Sequence, residues 1–190
     1  MILDLVKIAL QEDLPAGDKT TDPLNCHTTQ GLAKLVAKQD LVISGKELFD
    51  EVYAQVDPTV TIRWNFKNGD KVKNKKVICE VQGPLDSLLK GERTALNFLG
   101  LLSGVATLTS QFVAQTKGTK CKITETRKTI PGLRSLQKQA VLHGGGTNHR
   151  QNLSDGILIK ENHIRSAGSI TAAVQKIREK WPTDPIEVEV

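Results

Sequence analysis

The sequence predicts a two-part protein of mixed α/β and α+β class, and three features of its patterning lead there. Residues 30–84 place apolar and polar residues in short alternating runs broken by turns, as a half-buried antiparallel sheet requires. A long apolar-periodic stretch from Leu85 to Ala114 then interrupts that rhythm. After it, strand-like and helical segments take turns, the order expected of parallel βαβ units.

The elements follow in chain order. MILDLVKIALQEDL carries acids inside an apolar pattern and lacks a basic lead and a small-residue cleavage site. It predicts an amphipathic helix over about 2–12 rather than a secretory signal. EDLPAGDKTTDP is rich in turn formers, and LAKLVAKQDLVIS reads as a strand. A helix, KELFDEVYAQV, opens after Gly45. Val60, Ile62, Trp64 and Phe66 alternate with polar neighbours, KNGDK supplies a turn, and KVICEVQG resumes alternation at Val77, Cys79 and Val81.

Leu85, Leu88, Leu89, Leu96, Leu99 and Leu102 recur near helical spacing, with Gly100 and Gly104 as kinks or close-packing points. No uninterrupted apolar run approaches the roughly 20 residues that span a bilayer. Beyond it, CKITET is strand-like, GLRSLQKQAVL helical, GILIK a short strand, SITAAVQKIREKW helical and IEVEV a strand.

Composition bounds the function. With 38% apolar and 25% charged residues, the 190-residue chain has the balance of a globular protein of one large domain or two small ones. Cys26, Cys79 and Cys121 are odd in number, widely spaced and form no CxxC pair, so neither a disulfide framework nor a zinc site is indicated; a cytoplasmic location is expected. The net charge of +5 is local: Lys117–Arg150 holds eight Lys or Arg and a single acid, Glu125. A nucleic-acid binder or a pocket for small polyanions has this look. The stretch contains no Phe, Tyr or Trp, so the stacking platforms of single-strand binders are missing.

Two motifs suggest other chemistry. His143 and the glycines of HGGGTNHR match the oxyanion-hole run of esterases, or a backbone cradle for an anion. An esterase also needs GxSxG, and that pattern occurs nowhere in the chain. NGDKVKNKKVICEVQG has the hairpin rhythm of biotinyl or lipoyl carriers, but Lys71, Lys73, Lys75 and Lys76 are clustered instead of one lysine standing at a tip.

The basic residues fall in register with the second half. Arg127 and Lys128 follow its first expected strand, Lys160 ends the second, and Glu189 lies near the end of the third. Carboxyl ends of strands are where α/β proteins bind ligands. Arginine forks suit planar carboxylates and lysine suits phosphate, so Arg127, Lys128, His149, Arg150 and Lys160 together point to a carboxylate ligand beside a phosphorylated one. Glu189 adds a carboxylate suited to ribose hydroxyls or hydrated Mg²⁺.

ETRKTIPGLR, HGGGTNHR and LIKENHI, in that order, closely resemble the quinolinate phosphoribosyltransferases, and EDLPAGDKTTD with GERTALNFLGLLSGVAT resembles their N-terminal segment and linking helix. The resemblance spans essentially the whole chain. It implies an N-terminal α/β sandwich with the linking helix over 1–105, and over 106–190 a C-terminal β/α-barrel-like domain, incomplete in this chain. It also implies phosphoribosyl transfer to quinolinate with decarboxylation, giving nicotinate mononucleotide, CO₂ and pyrophosphate in NAD biosynthesis.

By that resemblance Arg127, His149 and Arg150 bind the quinolinate carboxylates. Arg93 reaches the partner's site in a homodimer. Lys128 and Lys160 attend the phosphorylated substrate or the reacting centre, and Glu189 faces the phosphoribosyl group and Mg²⁺, directly or through water. Neither nucleic acid nor membrane is an expected partner. The family's later strand-end Asp and glycine-rich phosphate loop have no counterpart here, so the expectation is an N-terminal fragment with weak or no activity alone. The alternatives are a related phosphoribosyltransferase-like protein of metal-uptake operons and a basic nucleic-acid-binding module.

Overall fold

The computed structural model describes residues 2–190. The chain forms two compact units: the first runs to Glu125 and includes Pro131–Asn148, and the second combines Thr126–Ile130 with His149–Val190.

The first unit is built on a three-stranded antiparallel sheet in the order β1 (Gln30–Val36), β5 (Val77–Pro84), β3 (Thr61–Trp64). Central β5 pairs on both edges, and Cys79 and Val81 are buried on one face of it. Glu80 points the other way, where Lys34 (3.4 Å) and Arg63 (2.7 Å) flank it from the adjoining strands. The alternation in KVICEVQG is therefore a core face set against an ion-paired face. A smaller antiparallel pair joins β2 (Leu41–Val42) to β4 (Lys71–Val72).

Helix α2 (Lys46–Val56) buries Leu48, Phe49, Val52 and Tyr53. Phe49 stacks obliquely on Tyr53 (5.4 Å) and edge-on to Trp64 (5.2 Å), whose indole N–H donates to Asp50 (2.7 Å). Burial pushes the Tyr53 hydroxyl and the Cys79 thiol each up to about 12, so neither is a nucleophile near neutral pH. Helix α1 (Ile2–Asp13) adds Val6 to the same core.

Helix α3 (Leu85–Gln115) is long and apolar enough to cross a membrane by length and composition. Leu88, Ala95, Leu99, Leu102 and Ala106 nevertheless join the core of the first unit, while Leu101, Leu108 and Phe112 remain exposed. Helix α4 (Arg134–His143) packs against α3 through Leu136 and Ala140 on its buried face.

The second unit contains β6 (Ile157–Ile159) and β7 (Ile186–Val188), a parallel pair joined by α5 (Glu161–Ala167) and α6 (Ile170–Lys180). Ser169 caps α6 by accepting the Ala172 N–H at 3.1 Å. The βαβ reading holds here, with two corrections. CKITET is not a strand: it makes one isolated bridge, Thr124 with Thr147, because no neighbouring strand continues the ladder. Helix α5 was not expected; at seven residues it is too short to show a period.

Candidate active site

The glycine run closes α4 rather than holding an anion. Gly144 N–H donates to Ala140 O, Gly145 to Leu142 O, Gly146 to Val141 O and Thr147 to Ile123 O, all within 3.0 Å. Four successive donors are thus consumed internally. A Cβ at Gly144 would stand 2.4 Å from Ala106 O, and one at Gly146 would stand 2.7 Å from Val141 Cγ1. Gly145 takes φ +87°, which L side chains rarely adopt. The glycines are there for close packing on α3 and for a reversal of the chain. His143 Nδ1 bonds Ser44 Oγ at 2.8 Å, with that serine only 1% exposed, and burial holds the imidazole below its ordinary value. No esterase site forms here.

The strand ends of the second unit gather the charged residues. Glu187 in β7 accepts from His149 Nε2 at 2.6 Å. Two residues on, Glu189 pairs with Lys160 Nζ. Period two along an extended chain puts both glutamates on one face, and Glu189 N–H continues the ladder to Ile159 O at 2.9 Å. Lys160 ends β6 and begins α5, where its backbone N–H donates to His163 Nδ1 at 2.9 Å; a histidine fills the place that Glu or Gln takes in a capping box.

Lys160, and then Lys128 at longer range, hold the Glu189 carboxyl below its usual range. Lys128, Lys160 and Glu189 therefore share one electrostatic neighbourhood. Both glutamates are about three-fifths exposed, so their pairs add little to folding and can be exchanged for a ligand's charges.

Arg150 reaches Gly156 O through Nη1 at 3.3 Å. Arg127 is half-buried, and its Nε–H is shielded from solvent with no acceptor. An unpaired buried donor costs about 1–3 kcal/mol, and a carboxylate placed on the guanidinium fork would recover it. Arg93 belongs to the first unit, on an exposed turn of α3.

Glu187 escaped the sequence reading, although IEVEV announces two acids at strand spacing. Lys138 and Glu125 escaped it as well. Lys138 is 1% exposed and forms an ion pair with Glu125, the lone acid of the basic stretch. No three His, Cys, Asp or Glu among the described residues stand close enough to hold a metal ion. Glu189 fits Mg²⁺ only in the manner of a single carboxylate that shares the ion with water and phosphate oxygens.

Residues 18–103 match the family model of the quinolinate phosphoribosyl transferase N-terminal domain, and residues 105–190 match that of the C-terminal domain. The probable nicotinate-nucleotide pyrophosphorylase (carboxylating) of Synechocystis sp. is 41% identical over 181 residues, covering 95% of this chain and 61% of that protein. The nicotinate-nucleotide pyrophosphorylase (carboxylating) of Mycobacterium leprae is 40% identical, covering 98% and 67%. The solved structure of NadC from Streptococcus pyogenes superposes with a TM-score of 0.93 at 40% identity, over 98% of this chain and 67% of that one. The chain thus spans about three-fifths to two-thirds of the length of these relatives. Its mixed fold, its N- and C-terminal parts and its sequence together show that it belongs to the quinolinate phosphoribosyltransferase family.

Proposed function

We propose that the protein transfers the phosphoribosyl group of phosphoribosyl pyrophosphate to the nitrogen of quinolinate, with release of pyrophosphate and CO₂ to leave nicotinate mononucleotide. The observation that carries this reading is the half-buried Arg127, its Nε unpaired, in the same unit as Arg150, His149, Lys128 and Lys160. Arg127 and Arg150 supply planar forks for the two ring carboxylates, with His149 as a third contact. In this reading Lys128 and Lys160 serve phosphate oxygens, and Glu189 the ribose hydroxyls.

The reaction follows from charge placement. Positive charge develops at the anomeric carbon as pyrophosphate departs, and the lysines neutralise the departing charge. The pyridine nitrogen forms the new C–N bond. Once quaternised, the ring accepts the electron pair of the breaking C–C bond as the adjacent carboxylate leaves as CO₂, and the ring carbon then takes a proton from water to give nicotinate mononucleotide. Orientation and neutralisation suffice, and no covalent nucleophile is required. Glu189, through water, is the residue that would hold Mg²⁺, which when bound supplies further neutralisation of the pyrophosphate.

We assign the protein to homodimers in which Arg93 enters the partner's site. Its exposure on α3 supports this, as do the exposed Leu101, Leu108 and Phe112 of that helix. The division of labour follows residues 1–105 and 106–190. Three free cysteines, one of them exposed, support a reducing compartment such as the cytoplasm.

Calorimetric titration with quinolinate and with phosphoribosyl pyrophosphate tests the reading, beside assay of nicotinate mononucleotide and CO₂ in equal amounts. Binding of both ligands, with quinolinate binding lost in Arg150→Ala, is expected. Absence of binding for both would overturn it, and tight, strongly salt-dependent DNA binding would favour a nucleic-acid module instead.

A further inference from the structure

The buried Lys138–Glu125 pair lies outside the set of residues assigned to ligands, yet Glu125 stands two residues before Arg127 along the chain. A pair so enclosed adds little net folding energy over apolar residues of equal volume, so stability alone is a poor reason for it. Asn148, with its amide turned so that nitrogen donates, bonds Glu125 Oε2 at 3.3 Å and Lys138 O at 3.0 Å. One residue earlier, Thr147 N–H donates to Ile123 O at 2.8 Å.

Residues 123–125 and 147–148 are therefore tied to each other and, through Glu125 and Asn148, to Lys138 on α4. From Glu125 the chain reaches Arg127 in two residue steps, about 7 Å of backbone. From Asn148 it passes directly to His149 and Arg150.

We propose that Lys138 is a positioning residue that fixes the spacing of the Arg127–Lys128 and His149–Arg150 segments by clamping Glu125 and Asn148 together. This rests on the assignment of those four residues to ligand binding. Lysine suits this role because its ammonium holds the glutamate while its own carbonyl holds the asparagine, so one helical residue contacts both segments. The charge acts without touching substrate.

Two variants test the clamp: Lys138→Met with Glu125→Leu, which removes both buried charges together, and Asn148→Ala at an exposed position that the core does not need. Amide hydrogen exchange of Thr129 and Thr147, both bonded in the native protein, supplies a ligand-free readout beside the quinolinate affinity. The expected result is exchange at least tenfold faster at these two amides, with α2 and β5 unchanged, and quinolinate affinity at least tenfold weaker. Lys138→Arg should recover part of both.

Unchanged exchange or unchanged affinity in a folded Asn148→Ala protein would overturn the proposal. So would exchange that quickens equally in α2 and β5, which would make the pair an ordinary core contact. If the unaltered protein fails to bind quinolinate, the substrate assignment falls, while the exchange comparison still decides whether the clamp exists.

Discussion

Glu187 and Glu189 stand two residues apart on one face of the chain, and each engages a different side chain: His149 at 2.6 Å and Lys160. A single extended segment thereby orients a group assigned to carboxylates and a group assigned to phosphates. The two halves of the ligand set should accordingly respond to separate substitutions.

Glu187→Ala removes the partner that fixes the His149 ring. Quinolinate affinity should fall about three- to tenfold, the loss of one hydrogen-bonded orienting contact, with phosphoribosyl pyrophosphate affinity unchanged. Calorimetry reads both. A gain in quinolinate affinity would show that Glu187 acts mainly by repelling the dicarboxylate.

Lys160→Gln should do the reverse, weakening phosphoribosyl pyrophosphate about tenfold or more and leaving quinolinate within about threefold. The same change has a signature without ligand. The depressed Glu189 carboxyl keeps its pair ionised as pH falls through the ordinary carboxylate range, and the pair is lost only as pH passes the lowered value. In Lys160→Gln the Glu189 titration should move upward, measured by carboxyl carbon NMR.

Arg127→Lys keeps the charge and loses the planar fork. Quinolinate affinity should drop at least tenfold, and a lysine that binds as well would show that charge alone matters at this position.

Gly144→Ala tests the closure of α4. The new methyl would meet Ala106 O at 2.4 Å and Thr109 Cβ at 2.6 Å, both on α3. Overpacking of this kind costs about 1–3 kcal/mol, which a denaturant melt resolves. A neutral result would mean that the α3–α4 contact adjusts freely.

His143 gives the stability a pH dependence. Its folded value lies below the ordinary 6.5 because of burial, with the Glu47 carboxylate opposing weakly. The unfolded chain therefore takes up the proton first, so this contribution is fully present above about 6.5 and is lost as pH falls below it. Melting temperature should decline on acidification through that window, and His143→Gln should flatten the decline.

What the sequence revealed depended on how local the cause was. Helix α2 and strand β5 were legible because burial repeats at their own periods, Phe49 with Val52 and Tyr53, Cys79 with Val81. Helix α5 was missed because seven residues show no period, and because its N-terminal signal is a histidine instead of Glu or Gln. CKITET has strand composition but found a partner at one residue only.

Among the site residues, the strand-end lysine and glutamate could be placed by counting, and they meet. Lys138 could not: a lysine within a helix reads as solvated, and its partner lies 13 positions earlier, outside any helix or strand. Only the solitary acid in a basic stretch hinted at it.

Helix α3 runs for about 46 Å at the usual rise per residue, and the two family models meet just past its midpoint, between 103 and 105. Descent and packing thus divide the polypeptide at different places. Anyone dissecting the protein at the family boundary would cut a continuous rod, stranding Ala106 and Thr109 on the piece that lacks β1–β5. The residue that needs those two neighbours, Gly144, would keep its floor while that floor lost its foundations.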